Sequence, residues 1–320
     1  MPALLTHDFF ARDASVFASD ALPIGSLDER DAFALGCQGP DPLFYLEIHP
    51  LMAKWAPIGN LMHEERPASL LASLRIAADK LPRSEQSIGR AYLAGFSCHW
   101  LLDATIHPFV YWWQKALTSQ GVTGLDSSYE GIVHAEVERD LDEAVLFSKV
   151  GKTIEEYRPF EQTLQASRKV LSIVDKMYFY VTLWAYGKPV DPTIFSVGTR
   201  CYRRVMKVIY SPRDHHRELM GRIERMSTGK PYSRICALSH RARRSDRSRF
   251  DNLEHATWEN PFSHQQSDSS FWDLYERALA RAPKAISAVM GDGFDFDASC
   301  ALTDRINFEG EQVEDTGLKR

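Results

Sequence analysis

The 320-residue sequence predicts an all-α protein, and three observations carry that prediction. Apolar residues recur at three- and four-residue intervals along most of the chain, the spacing that lines one face of a helix. No stretch shows sustained apolar–polar alternation with turn signals at strand spacing. Hydrophobic residues make up 44% and charged residues 25%, the balance of an ordinary soluble globular domain, which excludes collagenous and disordered chains.

The elements follow in order. Gly36 to Asn60, rich in glycine, proline and aromatics, reads as a non-helical segment that is long for an idle loop. Pro67 to Leu81 opens on a proline suited to a first helical turn and continues as an amphipathic helix. Ser84 to Leu117 reads as one long helix, or as two broken near His107-Pro108, because proline disfavours the helical state in the residue before it. Leu125 to Ser148 carries Ile132, Val133, Val137, Leu141 and Val145 on one stripe. Glu156–Ala185, Thr193–Tyr210, Asp214–Met226 and Ser270–Met290 read as further helices. Pro231 to Pro261 reads as non-helical and holds a basic cluster of Arg234, His240, Arg241, Arg243, Arg244, Arg247 and Arg249. With no internal repeat and no interdomain linker, the partition is one domain over 1–290 and a polar, acidic C-terminal tail over 291–320.

Several classes of function are disfavoured by composition. A net charge of −5 argues against a bulk polyanion binder, so no dedicated nucleic-acid site is expected. The first residues lack a basic region followed by an apolar core, so no secretory signal is read there. Apolar stretches, such as the one near Tyr178 to Tyr186, fall well short of the ~20 residues a membrane span needs. A soluble, cytoplasmic protein is the expectation. Five widely spaced cysteines without a C-x-x-C pair read as reduced thiols.

The strongest chemical signal is HWLLDATIH, which places His99, Asp103 and His107 four residues apart. Four helical residues advance about 400°, so the three side chains share a face, each ~6 Å further along the axis. His99 and Asp103 can share one ion, whereas His107 lies about 12 Å from His99 and serves a second more naturally. Imidazole and carboxylate at this spacing suit zinc. Given the composition, chance supplies roughly 0.03 such triplets in a chain of this length. His134 and Glu138 repeat the spacing, but chance supplies roughly 0.7 of those, so that pair takes its weight from its company. The company is His7, Asp41 and His63, in segments otherwise apolar or aromatic. A lone buried histidine is usually satisfied by an ordinary hydrogen bond, and Gly-Pro-Asp-Pro around Asp41 is also a good turn sequence. So many imidazoles and carboxylates in one hydrophobic half are hard to justify by packing alone, because each is costly to bury unpaired.

LLTHDFF, GCQGPDPLFY, LMHEE, AYLAGFSCHWLLDATIHPFVYW, HAEVERDL and NLEHATWENPF, spread over residues 1 to about 290, together resemble the zinc-dependent phospholipase C family. The resemblance implies an all-α, multi-helix domain of the phospholipase C and zinc nuclease type. It implies that His7 is a ligand from the N-terminal segment, and that His63, His99 and Asp103 form one metal site. His107, His134 and Glu138 form another, Asp103 bridges towards the ion that His7 helps hold, and Asp41 activates the attacking water. Secreted members also ligate a metal through the amino group and carbonyl of their processed first residue. Here His7 follows Pro2 by only five residues, so two zinc ions are the expectation and a third is not.

The implied activity is hydrolysis of a phosphodiester, with a phospholipid yielding diacylglycerol and a phosphorylated headgroup. Phe44, Tyr45, Trp55, Trp100 and Trp112 are candidates for an acyl or headgroup pocket, although aromatics at helical spacing more often build core. The Arg234–Arg249 cluster is a candidate contact for an anionic membrane surface, with a solvated loop as the plainer reading. Two other functions remain open: a zinc nuclease or nucleotidase, and a metal-stabilised binding scaffold without turnover.

Overall fold

The computed structural model describes residues 3–22, 24–119 and 125–319, and helix predominates among them. Helices α1 (Leu4–Phe17) and α2 (Leu27–Gly36) precede a 3-10 turn over Asp41–Ile48. They are followed by α3 (Pro57–Glu64), α4 (Pro67–Lys80), α5 (Arg83–Thr118), α6 (Glu130–Val150), α7 (Pro159–Gln162) and α8 (Arg168–Tyr186). The remaining helices are α9 (Ile194–Val208), α10 (His215–Thr228), α11 (Arg234–Leu238), α12 (Phe271–Met290) and α13 (Phe296–Thr303). The only strands among the described residues are β1 (Trp258–Glu259) and β2 (Gln266–Ser267), an antiparallel pair with Trp258 opposite Ser267. The all-α expectation therefore holds, and no described helix is long and apolar enough to cross a membrane.

Chain contacts group into two compact units. The first comprises Met1–Phe9, Ile106–Thr163 and Arg204–Leu274. The second comprises Phe10–Thr105, Leu164–Arg203 and Tyr275–Arg320. In the second unit α4 is buried almost all round, from Pro67 to Ala78, and packs against α8 and α13. The one charged side chain in that stretch, Arg75, is satisfied by Asp79 at 2.7 Å and by the carbonyls of Val289 and Gly291. In the first unit α6 is buried along most of its length and packs against α11.

Four local expectations are corrected, and one open alternative is decided. Of the two readings of Ser84–Leu117 the single long helix holds, since α5 runs unbroken through Pro108. Long helices tolerate an internal proline where packing on both sides holds them, and Phe109, Val110 and Ile106 are all buried. The helix expected over Glu156–Ala185 is two, α7 and α8. Leu164 between them adopts a left-handed backbone, and the Ser167 hydroxyl caps α8 by accepting from Val170 N–H. Gly36–Asn60 is not irregular throughout, since it holds the Asp41–Ile48 turn and the first turn of α3. Pro231–Pro261 likewise contains α11. Residues after Gly291, read as a polar tail, carry α13 and bury Phe308 and Asp315 within the second unit. None of the five cysteines forms a disulfide.

Candidate metal centres

Three of the sequence-identified residues converge in the second unit. Ligand atoms of His63, His99 and Asp103 all lie within 4.8 Å of one another, and all three side chains are buried. His99 Nε2 is 3.2 Å from Asp103 Oδ2, and His63 Nε2 is 3.8 Å from the same oxygen. The helical arithmetic is thereby realised: His99 and Asp103, one turn apart on α5, present their polar atoms to one point, and α3 supplies His63. Asp41, at the start of the 3-10 turn, joins them with Oδ1 3.1 Å from His63 Nε2 and 3.9 Å from His99 Nε2. Burial by itself raises the Asp41 carboxyl, but the charge of His99 and the bond and charge of His63 more than offset this and hold it below the usual carboxylate range.

Both imidazoles are oriented from behind. His63 Nδ1 lies 2.8 Å from the Gly59 carbonyl and His99 Nδ1 lies 3.1 Å from the Cys37 carbonyl. A carbonyl only accepts, so each Nδ1 carries the hydrogen, and in the neutral ring Nε2 turns its lone pair into the cluster. The Cys37 carbonyl reaches His99 because α2 and α5 touch backbone to backbone. A Cβ on Gly36 would fall 2.2 Å from the Tyr92 carbonyl oxygen, and one on Gly95 would fall 2.1 Å from that of Phe33. Gly39, with φ of +51°, continues this contact and lies flat against the His99 ring. From the C-terminal segment Phe308 covers the pair, with ring centroids 5.3 Å from His63 and 5.6 Å from His99. Its N–H donates to the His63 carbonyl at 3.1 Å.

The first unit holds a second cluster, again buried. His107, His134 and Glu138 bring ligand atoms within 4.8 Å of one another. Glu138 Oε1 is 3.3 Å from His134 Nε2 and 3.4 Å from His107 Nε2. His134 Nδ1 donates to Gln114 Oε1 at 3.0 Å, and Gln114 in turn donates to Glu130 Oε2 at 3.2 Å. Burial pushes the His134 imidazole down, towards the neutral form that binds metals. The opposite holds at Glu138: burial raises it, but nearby positive charge and hydrogen bonds from His107 and His134 outweigh this and hold it below the usual carboxylate range. Each cluster is thus a set of imidazole nitrogens and carboxylate oxygens gathered at one point, a donor set that suits a divalent metal.

His7 lies buried on α1 in the first unit. The start of that helix is held by Asp142, which accepts from the N–H groups of Leu5 and Thr6 at 2.9 and 2.7 Å and from the Thr6 hydroxyl at 2.7 Å. His240 closes the arrangement, with Nε2 3.0 Å from Asp142 Oδ2. Sequence reasoning missed Asp142, Gln114 and Phe308. Gln114 had a signal, since it follows His107 by seven residues and so shares its helical face. Asp142 had a weaker one, four residues beyond Glu138, and Phe308 had none within its own segment.

Among the aromatics named as pocket candidates, only Phe44 has a described ring contact with a cluster residue, its ring 5.0 Å from His63. Tyr45 stacks on Tyr202 at 3.9 Å and Trp100 donates to the Ile306 carbonyl, both as ordinary core, while half-buried Trp112 packs on Trp113. Much of the basic cluster is paired with carboxylates. Arg241 binds Glu143 and Asp140, Arg243 lies 3.2 Å from Asp140 and 3.4 Å from Glu143, and Arg247 and Arg249 pair with Asp251 and Glu136. Compared with family models, curated proteins and solved structures, the chain shows no match.

Proposed function

We propose that the protein is a zinc-dependent phosphodiester hydrolase of the phospholipase C type, with one ion held by His63, His99 and Asp103 and another by His107, His134 and Glu138. The observation that carries the reading is the orientation of the imidazoles. His63, His99 and His134 each spend Nδ1 on an acceptor outside the cluster, which commits Nε2 to the cluster itself.

Zinc bound at such a centre supplies Lewis acidity, lowering the pKa of a bound water towards ~7 and offsetting charge on phosphoryl oxygens. The chain supplies the rest. Asp41, held as a carboxylate beside His63 and His99, orients the attacking water and takes its proton as the water oxygen bonds to phosphorus. The bond from phosphorus to the leaving oxygen breaks as the new bond forms, and that oxygen takes up a proton and departs as an alcohol, which for a phospholipid is diacylglycerol. Burial of the ligands keeps bulk water from competing for them.

Zinc analysis of chelator-stripped and reloaded protein tests the binding. About two ions per chain are expected, one fewer in each of His99→Ala and His134→Ala. Absent stoichiometric zinc, or uptake unchanged in both variants, overturns the reading. Turnover is tested on phosphatidylcholine in detergent micelles against single-stranded DNA, with preference for the lipid expected. Asp41→Asn is expected to keep its zinc and to lose hydrolysis by about 10²–10⁴-fold. One observation favours a second reading, a metal-stabilised scaffold without turnover: Phe308 roofs the His63 and His99 rings. That reading predicts full zinc loading and no hydrolysis of either substrate by the wild-type chain.

A further inference from the structure

Helix α10 turns an apolar stripe to solvent. Leu219, Ile223 and Met226 are 56%, 58% and 85% exposed. At positions i, i+4 and i+7 they fall within about a 60° arc of the helix. Rotation of the helix cannot hide them, because its opposite face is fixed against α11. Gly221 is buried so close to Cys236 that a Cβ there would lie 2.2 Å from the Cys236 sulfur. Glu224 accepts from the N–H groups of Arg234 and Ile235, each at 3.1 Å, and from the Ser233 hydroxyl. The Cys236 thiol donates to the Arg217 carbonyl at 3.6 Å.

The charge around the stripe is positive in a chain that is negative overall. Residues 204–234 hold eight Lys or Arg against three Asp or Glu, whereas the whole chain carries −5. Glu224 is committed to α11, so its charge does not face outwards, and the exposed Glu218 one turn before Arg222 leaves cations in excess over the segment. Arg222 is exposed on the border of the stripe, and Arg213 and Lys230 are exposed just beyond the two ends of the helix. A protein partner fits this poorly, since stable protein interfaces bury about 800 Å² per side around a core depleted of charge, and three side chains on one helix fall short of that. A helix lying flat in a bilayer interface needs only shallow insertion of a narrow apolar stripe with cations at its edges.

We propose that α10 docks the protein on an anionic membrane surface, with Leu219, Ile223 and Met226 inserted between headgroups and Arg213, Arg222 and Lys230 against lipid phosphates. The inference stands on the surface of the first unit and is independent of metal binding and turnover. The experiment is co-sedimentation of the full chain with phosphatidylcholine vesicles containing or lacking phosphatidylserine. Binding is expected only with phosphatidylserine and should weaken as salt rises. Leu219→Ser combined with Met226→Ser should reduce it roughly tenfold or more, and Arg222→Glu should also weaken it, with circular dichroism and zinc content unchanged in both. Failure of the wild type to sediment with phosphatidylserine vesicles at low salt overturns the proposal, as does partition unaffected by both sets of changes. A concentration-dependent dimer in light scattering that the double serine variant abolishes also overturns it, by assigning the stripe to a second copy of the chain.

Discussion

A single methyl group at Gly39 would test how tightly the first centre is built. A Cβ there would lie 2.1 Å from His99 Cδ2, and the backbone φ of +51° is one that side-chain-bearing residues resist. The ring cannot retreat, because its Nδ1 is tied to the Cys37 carbonyl. Gly39→Ala is therefore expected to lower stability by about 2–4 kcal/mol in urea unfolding and to release zinc from the His63/His99/Asp103 centre while the His107/His134/Glu138 centre keeps its ion. Unchanged zinc content would show that the ring has room to move. The contrast between His99 and Gly39 also shows what the sequence could yield. His99 and Asp103 were identifiable because both lie on one helix, where spacing alone sets a shared face. The need for glycine at position 39 is imposed by a ring sixty residues on in the chain, and no local pattern encodes it.

Among the elements, α6 combines a candidate metal centre with a charged anchor. Its Glu138 and His134 face the second cluster, while Asp140 and Glu143 receive Arg241 and Arg243. Burial raises the Asp140 carboxyl, but the Ser248 hydroxyl at 2.6 Å and the guanidinium groups of Arg243 and Arg241 outweigh it and hold the group below its ordinary range. A carboxyl depressed on folding contributes stability above its unfolded pKa, near ~3.9, and that contribution is lost as the pH falls through the folded value. Asp140→Asn is therefore expected to be less stable than wild type by about 1–3 kcal/mol at neutral pH, with the gap narrowing as the pH falls below the unfolded value. Denaturant midpoints at neutral pH and below that value check this, and an equal gap at both would remove the ionic explanation. The arginines of this anchor showed in the sequence as a basic cluster, but their pairing did not, since Asp140 and Arg241 are a hundred residues apart. Helix positions followed periodicity well for α4, α6 and α12. The exception was the break at Leu164, where a left-handed leucine and a serine cap outweigh an apolar pattern that would have run on.

For the whole molecule, the feature that composition concealed is the last thirty residues. Their polarity suggested a tail, yet a few apolar and acidic side chains close the second unit. Asp315 accepts from Ser69 N–H at 2.7 Å at the start of α4, and Arg66 bonds the carbonyls of both Ala185 and Gly317. Asn307 donates to the Glu64 carbonyl at 3.0 Å, one residue from His63, and Phe308 packs on His63, His99 and Phe96. Average polarity says little about such a segment, because one fully buried phenylalanine outweighs many solvated neighbours. Replacing Phe308 with alanine is accordingly expected to cost about 3–5 kcal/mol, the range for emptying a buried aromatic site. Phe308→Leu, which keeps most of the volume, should cost about 1–2 kcal/mol. Because the ring also confines two imidazoles, the alanine variant should surrender zinc from the first centre to a competing chelator faster than wild type, while the second centre holds its ion as before. Equal loss from both centres would mean that Phe308 acts only through overall stability, and retention at both would mean that the Gly59 and Cys37 carbonyls suffice to aim the histidines without a roof.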